Sequence, residues 1–167
     1  SPATSSVIAL PAASATVLKL GTSSSMNGLG GYHGSVHFQR AGKRVTLYYS
    51  ANAYSEHLPD GRENGIAVFN KPWKNVVATL YHELNEFRTD PDVNDANAKG
   101  DDDFLGWVSR SGQEVGDQPI FAAGQAGDFR LVFKEVQDRP RKLRLPVQFM
   151  YSNVAHGAEG PIDHPHA

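Results

Sequence analysis

Thr79-Leu-Tyr-His-Glu-Leu-Asn-Glu-Phe-Arg-Thr-Asp-Pro-Asp92 is the stretch around which the rest of the chain is organised. Val76, Val77, Leu80, Tyr81, Leu84 and Phe87 recur at helical spacing, which predicts a helix with one core-facing side and with His82 and Glu86 pointing elsewhere. His82 and Glu86 are four residues apart, so on that helix their side chains lie one above the other and can close on a single ion. Asn70-Lys-Pro72 offers a start, with Asn70 as candidate cap and Pro72 in the first turn. Thr89-Asp-Pro91 stops the helix just after the motif.

His82-Glu-Leu-Asn-Glu86 resembles the zincin motif His-Glu-x-x-His, in which residues i and i+4 hold zinc and the intervening Glu handles the proton of a water molecule. Here the second His is a Glu, which makes the site harder and more anionic. The plainer alternative is a surface helix turn carrying solvated glutamates.

A length of 167 residues fits one domain with a sizeable core. The reading is a flexible tail over 1–14, a single domain over 15–154 and a second tail over 155–167. The first fourteen residues are rich in Ser, Ala, Pro and Thr, too little apolar surface to repay ordering. A net charge of -2 gives no footprint for nucleic acid or an anionic membrane. With no cysteine, disulfides and thiolate sites are excluded, so any metal rests on His, Asp or Glu. No apolar run approaches the about 18 residues that span a bilayer. Val7-Ile-Ala-Leu10 is too short, and lacks the basic flank, for a signal peptide. A soluble or already processed chain, with no membrane insertion, is expected.

Along the chain, Thr16–Leu20 reads as a strand and 21–31 as a Ser/Gly/Asn-rich loop. Val36–Arg40 and Lys43–Asn52 flank Ala41-Gly42, the pattern of a hairpin with a two-residue turn. Val45, Leu47 and Tyr49 alternate with Arg44, Thr46 and Tyr48, as in a sheet with one buried face. Gly65–Asn70 reads as a short strand into the helix. Asp90–Asp103 is an acidic loop in which Asp90-x-Asp92-x-Asn94 matches the opening of an EF-hand, with Asp101 twelfth. Asp95 stands where that loop needs Gly, so calcium is a secondary expectation beside zinc. Phe104–Ser109, Val115–Phe121, Asp128–Val136 and Leu145–Ser152 read as further strands, with Pro119 marking an edge. The order predicts an α+β fold, its mainly antiparallel or mixed sheet packed against one principal motif-bearing helix.

Gly31-Tyr-His-Gly34, the block from Val76 to Pro91, Glu114-Val-Gly-Asp117 and Val147–Asn153 together resemble the phosphate-induced (Exordium-like) protein family, over residues 30–153. That family comprises secreted plant proteins and bacterial relatives with cell-wall or extracellular roles and a suspected zincin-like character. This chain lacks the plant members' cysteines and is shorter between blocks. The resemblance implies a zincin-like fold, a secreted, periplasmic or cell-surface location, and a metal site matched to His82, Glu83, Glu86 and Asp117.

A catalytic zinc needs three protein ligands and an open position. His82 and Glu86 supply two and Asp117 is the chosen third. Asp90, Asp92, Glu114 and His33 remain alternatives, and His33 is also a candidate donor to a developing oxyanion. Glu83 is the candidate general base. The expected activity is zinc-dependent hydrolysis of peptide bonds in a peptide or protein substrate. The alternative is a non-catalytic extracellular binding or signalling module with a structural metal.

Overall fold

The computed structural model describes residues 7–11, 14, 16–92 and 106–160. It is α+β, with small, mostly antiparallel sheets and two α-helices among the described residues. Two compact units divide the chain, Ser1–Gly106 and Trp107–Ala167.

The first unit is built on β1 (Val7–Pro11), the two-residue pair β2 (Lys19–Leu20) and β3 (Ser23–Ser24), and the long hairpin β4 (Gly31–Arg40) and β5 (Lys43–Asn52). The short pair β6 (Glu56–His57) and β7 (Glu63–Asn64) leads to helix α1 (Pro72–Thr89). Ala41 and Gly42 carry φ of 50° and 72°, the left-handed pair that a two-residue hairpin turn needs to match strand twist. From it, ten residues pair with ten, Arg40 opposite Lys43 and Gly31 opposite Asn52.

Segment β1 lies within the stretch read as a tail. It pairs in parallel with β5, with Val7 opposite Tyr48 and Pro11 opposite Asn52. Parallel pairing satisfies a β5 edge that only a distant segment can reach, which local composition does not reveal. Gly65–Asn70 is not a strand. It is fixed instead by Asn75, whose Oδ1 accepts the Phe69 N–H at 2.7 Å and whose Nδ2 donates to the Phe69 and Ser55 carbonyls at 3.0 Å each. Helix α1 begins at Pro72 with Lys71 at the cap position and no side-chain cap, so Asn70 does not cap it.

Helix α1 differs from expectation in the face it buries. Its deepest positions are Asn75, Ala78, Thr79, Glu83 and Glu86, whereas Val76, Val77, Leu80, Tyr81, Leu84 and Phe87 are only half-buried. The sheet face it meets is correspondingly polar. Cross-strand register puts Gly31, His33, Ser35 and His37 of β4 on the same face as Asn52, Ser50, Tyr48 and Thr46 of β5. Val36, Phe38, Val45 and Leu47 occupy the opposite face, so the apolar alternation of β5 is not what the helix covers.

The second unit contains helix α2 (Asp117–Gln125), a 3₁₀ turn at Phe129–Val132, the pair β8 (Phe133–Asp138) and β9 (Leu143–Gln148), and the pair β10 (Met150–Ser152) and β11 (Gly157–Glu159). Val115–Phe121 is therefore not a strand. Pro119 sits in the first turn of α2, where its missing N–H has no helical partner to lose, and Asp117 places a negative charge at the helix N-terminus. Asp128 caps the 3₁₀ turn through the Arg130 N–H, which delays the strand to Phe133. Residues 106–109 are not a strand, and 104–105 lie outside the described residues. Gly157–Glu159 pairs with Met150–Ser152, so ordered structure runs past residue 155. Inside this unit, buried Gln148 donates from Nε2 to the Gly116 carbonyl at 2.7 Å, and Trp107 stacks on Tyr151 at 4.3 Å.

Candidate metal centre

Four of the sequence-predicted residues meet in the first unit. Strand β4 brings His33 under α1, and the helix brings His82, Glu83 and Glu86. His82 Nε2 lies 3.1 Å from Glu86 Oε1, the i and i+4 closure expected of the motif. His33 Nδ1 lies 3.2 Å from Glu83 Oε2 and 3.9 Å from Glu86 Oε2. The helix therefore presents two carboxylates, each next to an imidazole. Donor atoms of His82, Glu83 and Glu86 all fall within 4.8 Å of one another.

Burial makes this cluster unusual. Glu83 and Glu86 are 3% and 2% exposed. Charged side chains are almost never this deep unless paired or bound to a metal, because stripping water from a carboxylate costs several kcal/mol that its partners must return. Two carboxylates one helical turn apart also repel, and a divalent cation neutralises both at once.

The orientation of His33 follows from its other nitrogen. Nε2 lies 3.2 Å from the main-chain carbonyl of Asp90, which only accepts, so Nε2 carries the hydrogen and donates. That fixes Nδ1 as the atom presented to the two carboxylates. Metal-ligating histidines are held in the same way, one ring nitrogen donating to a carbonyl while the other faces the ion.

Glu83 reaches the strand because position 31 has no side chain. A Cβ on Gly31 would stand 2.8 Å from Glu83 Oε1, 2.8 Å from the Ala51 carbonyl and 2.9 Å from Thr79 Cγ2. Opposite Gly31 on β5, buried Asn52 donates to Ser50 Oγ at 2.8 Å.

Asp90 and Asp92, weighed as ligands, are engaged elsewhere. The Asp90 carboxylate accepts from Thr89 Oγ1 at 3.1 Å and from the Gly106 N–H. Asp92 accepts from Ser35 Oγ at 2.7 Å and pairs with His37 Nε2 at 3.1 Å, while His37 Nδ1 meets Thr46 Oγ1 at 2.8 Å. Asn94 to Asp101 of the calcium pattern lie outside the described residues. Asp117 and Glu114 belong to the second unit, where the Asp117 carboxylate accepts the Glu114 N–H at 3.2 Å at the start of α2.

Sequence reasoning missed Ser35, His37 and Asp92 as a set. The available signal was the alternation His33, Ser35, His37, three polar residues on one face of one strand. Compared with known proteins, the chain matches no family model, no curated protein and no solved structure.

Proposed function

We propose that the first unit is a metal-dependent hydrolase of zincin-like design, in which His82 and Glu86 hold a divalent ion and Glu83 is the general base. The observation that carries this reading is the buried cluster of His82, Glu83 and Glu86 donor atoms, all within 4.8 Å of one another. A polar, carboxylate-bearing helix face in place of an apolar one is a destabilising choice, and such choices concentrate where chemistry is performed. The donor set, imidazole with carboxylate oxygen and no thiolate, fits zinc. Within this unit His33 Nδ1, 3.9 Å from Glu86 Oε2, is a further nitrogen donor.

When bound, zinc would supply Lewis acidity, lowering the pKa of a water molecule and polarising the substrate carbonyl. Glu83, 3.2 Å from His33 Nδ1, would take the proton of that water. Peptide bonds are the proposed substrate, and a secreted or cell-surface location the proposed setting, because both accompany the zincin and Exordium-like resemblance of the helix. A second reading, a structural metal in a non-catalytic module, is favoured by the near-complete burial of both glutamates and by the weaker Lewis acidity that anionic ligands impose.

Metal analysis with a broad peptide-cleavage assay, on wild type and Glu83→Gln, separates the readings. The catalytic reading expects zinc retained and turnover lost by about 10²-fold or more in Glu83→Gln. Zinc-dependent stability with no turnover in either protein supports the structural reading. A chain that binds no zinc removes both.

A further inference from the structure

We infer that Asp90, in the turn that ends the motif helix, is a positioning residue for His33, setting which ring nitrogen faces Glu83 and Glu86. Asp90 is 0% exposed and every polar group described on it is committed. Its main-chain N–H donates to the Glu86 carbonyl at 2.6 Å, tying it to the helix. Its main-chain carbonyl accepts from His33 Nε2 at 3.2 Å. Its carboxylate takes the Thr89 hydroxyl on one oxygen and the Gly106 N–H on the other.

Those contacts fix a peptide plane. Pro91 disfavours helical dihedrals at Asp90, which adopts φ -130° and ψ 65°, and this turns its carbonyl out of the helix axis. The carboxylate then holds that conformation from both sides. Gly106 can approach only as glycine, because a Cβ there would overlap the Thr89 carbonyl. Two residues on, Asp92 fastens the same turn to β4 through Ser35 at 2.7 Å and His37 at 3.1 Å. His33, Ser35 and His37 are alternate residues of one strand, so the turn is registered against β4 at three points and His33 meets the one that is a carbonyl. A carbonyl partner requires a hydrogen on Nε2, whichever state Nδ1 takes. A looser turn would let the ring rotate and offer either nitrogen to the carboxylates.

The inference rests on the metal reading for one of its two tests and stands apart from it in the other. On the metal-free full chain at one fixed pH, long-range ¹H–¹⁵N correlation of the histidine rings reports the His33 tautomer. Wild type is expected to show protonated Nε2, Asp90→Ala a loss of that single form, and Asp90→Asn, whose amide oxygen still accepts the Gly106 N–H, a signature close to wild type. Zinc titration of the same proteins is expected to show affinity lowered about 10- to 100-fold in Asp90→Ala and largely restored in Asp90→Asn. If Asp90→Ala does not fold, Thr89→Val removes one donor to the carboxylate and is expected to shift the His33 signals in the same direction. An unchanged His33 tautomer in the folded Asp90→Ala, or in Thr89→Val where that stands in, overturns the inference. A tautomer change in a chain that binds no zinc keeps the inference and overturns the metal reading.

Discussion

Adding one methyl group at Gly31 tests whether the seating of Glu83 against the sheet is as tight as its contacts indicate. Gly31 has no positive φ, so alanine brings no backbone strain there, and the effect of Gly31→Ala lies in space alone. The new Cβ would stand 2.8 Å from the Ala51 carbonyl, 2.8 Å from Glu83 Oε1 and 2.9 Å from Thr79 Cγ2. Ala51 is backbone in a paired strand and Thr79 is buried on the helix, so neither yields easily and Glu83 must leave or the helix must lift. Overpacking of this kind costs about 1–3 kcal/mol, against which alanine recovers about 0.5–1 kcal/mol of backbone entropy in a strand. Gly34→Ala is the control in the same strand. Its Cβ would meet only the ring end of Tyr49, from 3.1 Å, and that side chain can shift by a few tenths of an ångström. Chemical denaturation is expected to place Gly31→Ala about 1–2 kcal/mol below wild type, and Gly34→Ala within about 0.5 kcal/mol of it. Gly31→Ala should also weaken zinc binding, because a lifted helix carries His82 and Glu86 away from His33. A Gly31→Ala protein as stable as Gly34→Ala, with zinc affinity unchanged, would refute the reasoning.

Three further outcomes follow from named contacts. Burial first, and then the Asp92 carboxylate, holds the Tyr48 phenol above the ordinary tyrosine range. A raised folded value favours the neutral phenol, so this contribution is intact below the unfolded value and is lost as pH rises through the folded one. Ultraviolet titration should find Tyr48 ionising late, with Asp92→Asn lowering its value only in part. Asp92→Ala, which strips Ser35 and His37 of a 5%-exposed carboxylate partner, should lower stability by about 1–3 kcal/mol in urea, with Ser35→Ala costing less. In the second unit, Gln148→Leu removes the buried donor to the Gly116 carbonyl just before α2 and should cost about 1–3 kcal/mol, with amide exchange speeding up first in Asp117–Gln125.

Local chemistry was readable and long-range chemistry was not. Ala41-Gly42 and Thr89-Asp-Pro91 announce a turn and a helix end through residues whose backbone preferences act within three or four positions, and both stand where expected. The alignment of His82 with Glu86 follows from helical spacing alone. The buried face of α1 could not be read, because hydrophobic periodicity assumes that apolar residues face inward, and here Asn75, Thr79, Glu83 and Glu86 do. That failure coincides with the candidate site, where polar burial serves binding at the expense of packing. Strand β1 was missed because its partner lies some forty residues away in β5, and α2 because Pro119 reads equally as an edge strand or a first helical turn.

The most direct test of the central claim is calorimetric titration of the metal-free chain with zinc, beside His82→Ala and Glu86→Gln. One equivalent bound by wild type, with affinity reduced about 10²-fold or more in either variant, is the predicted result. Wild type that takes up no zinc, or variants that bind it as tightly as wild type, would contradict the claim that this imidazole and this carboxylate share an ion.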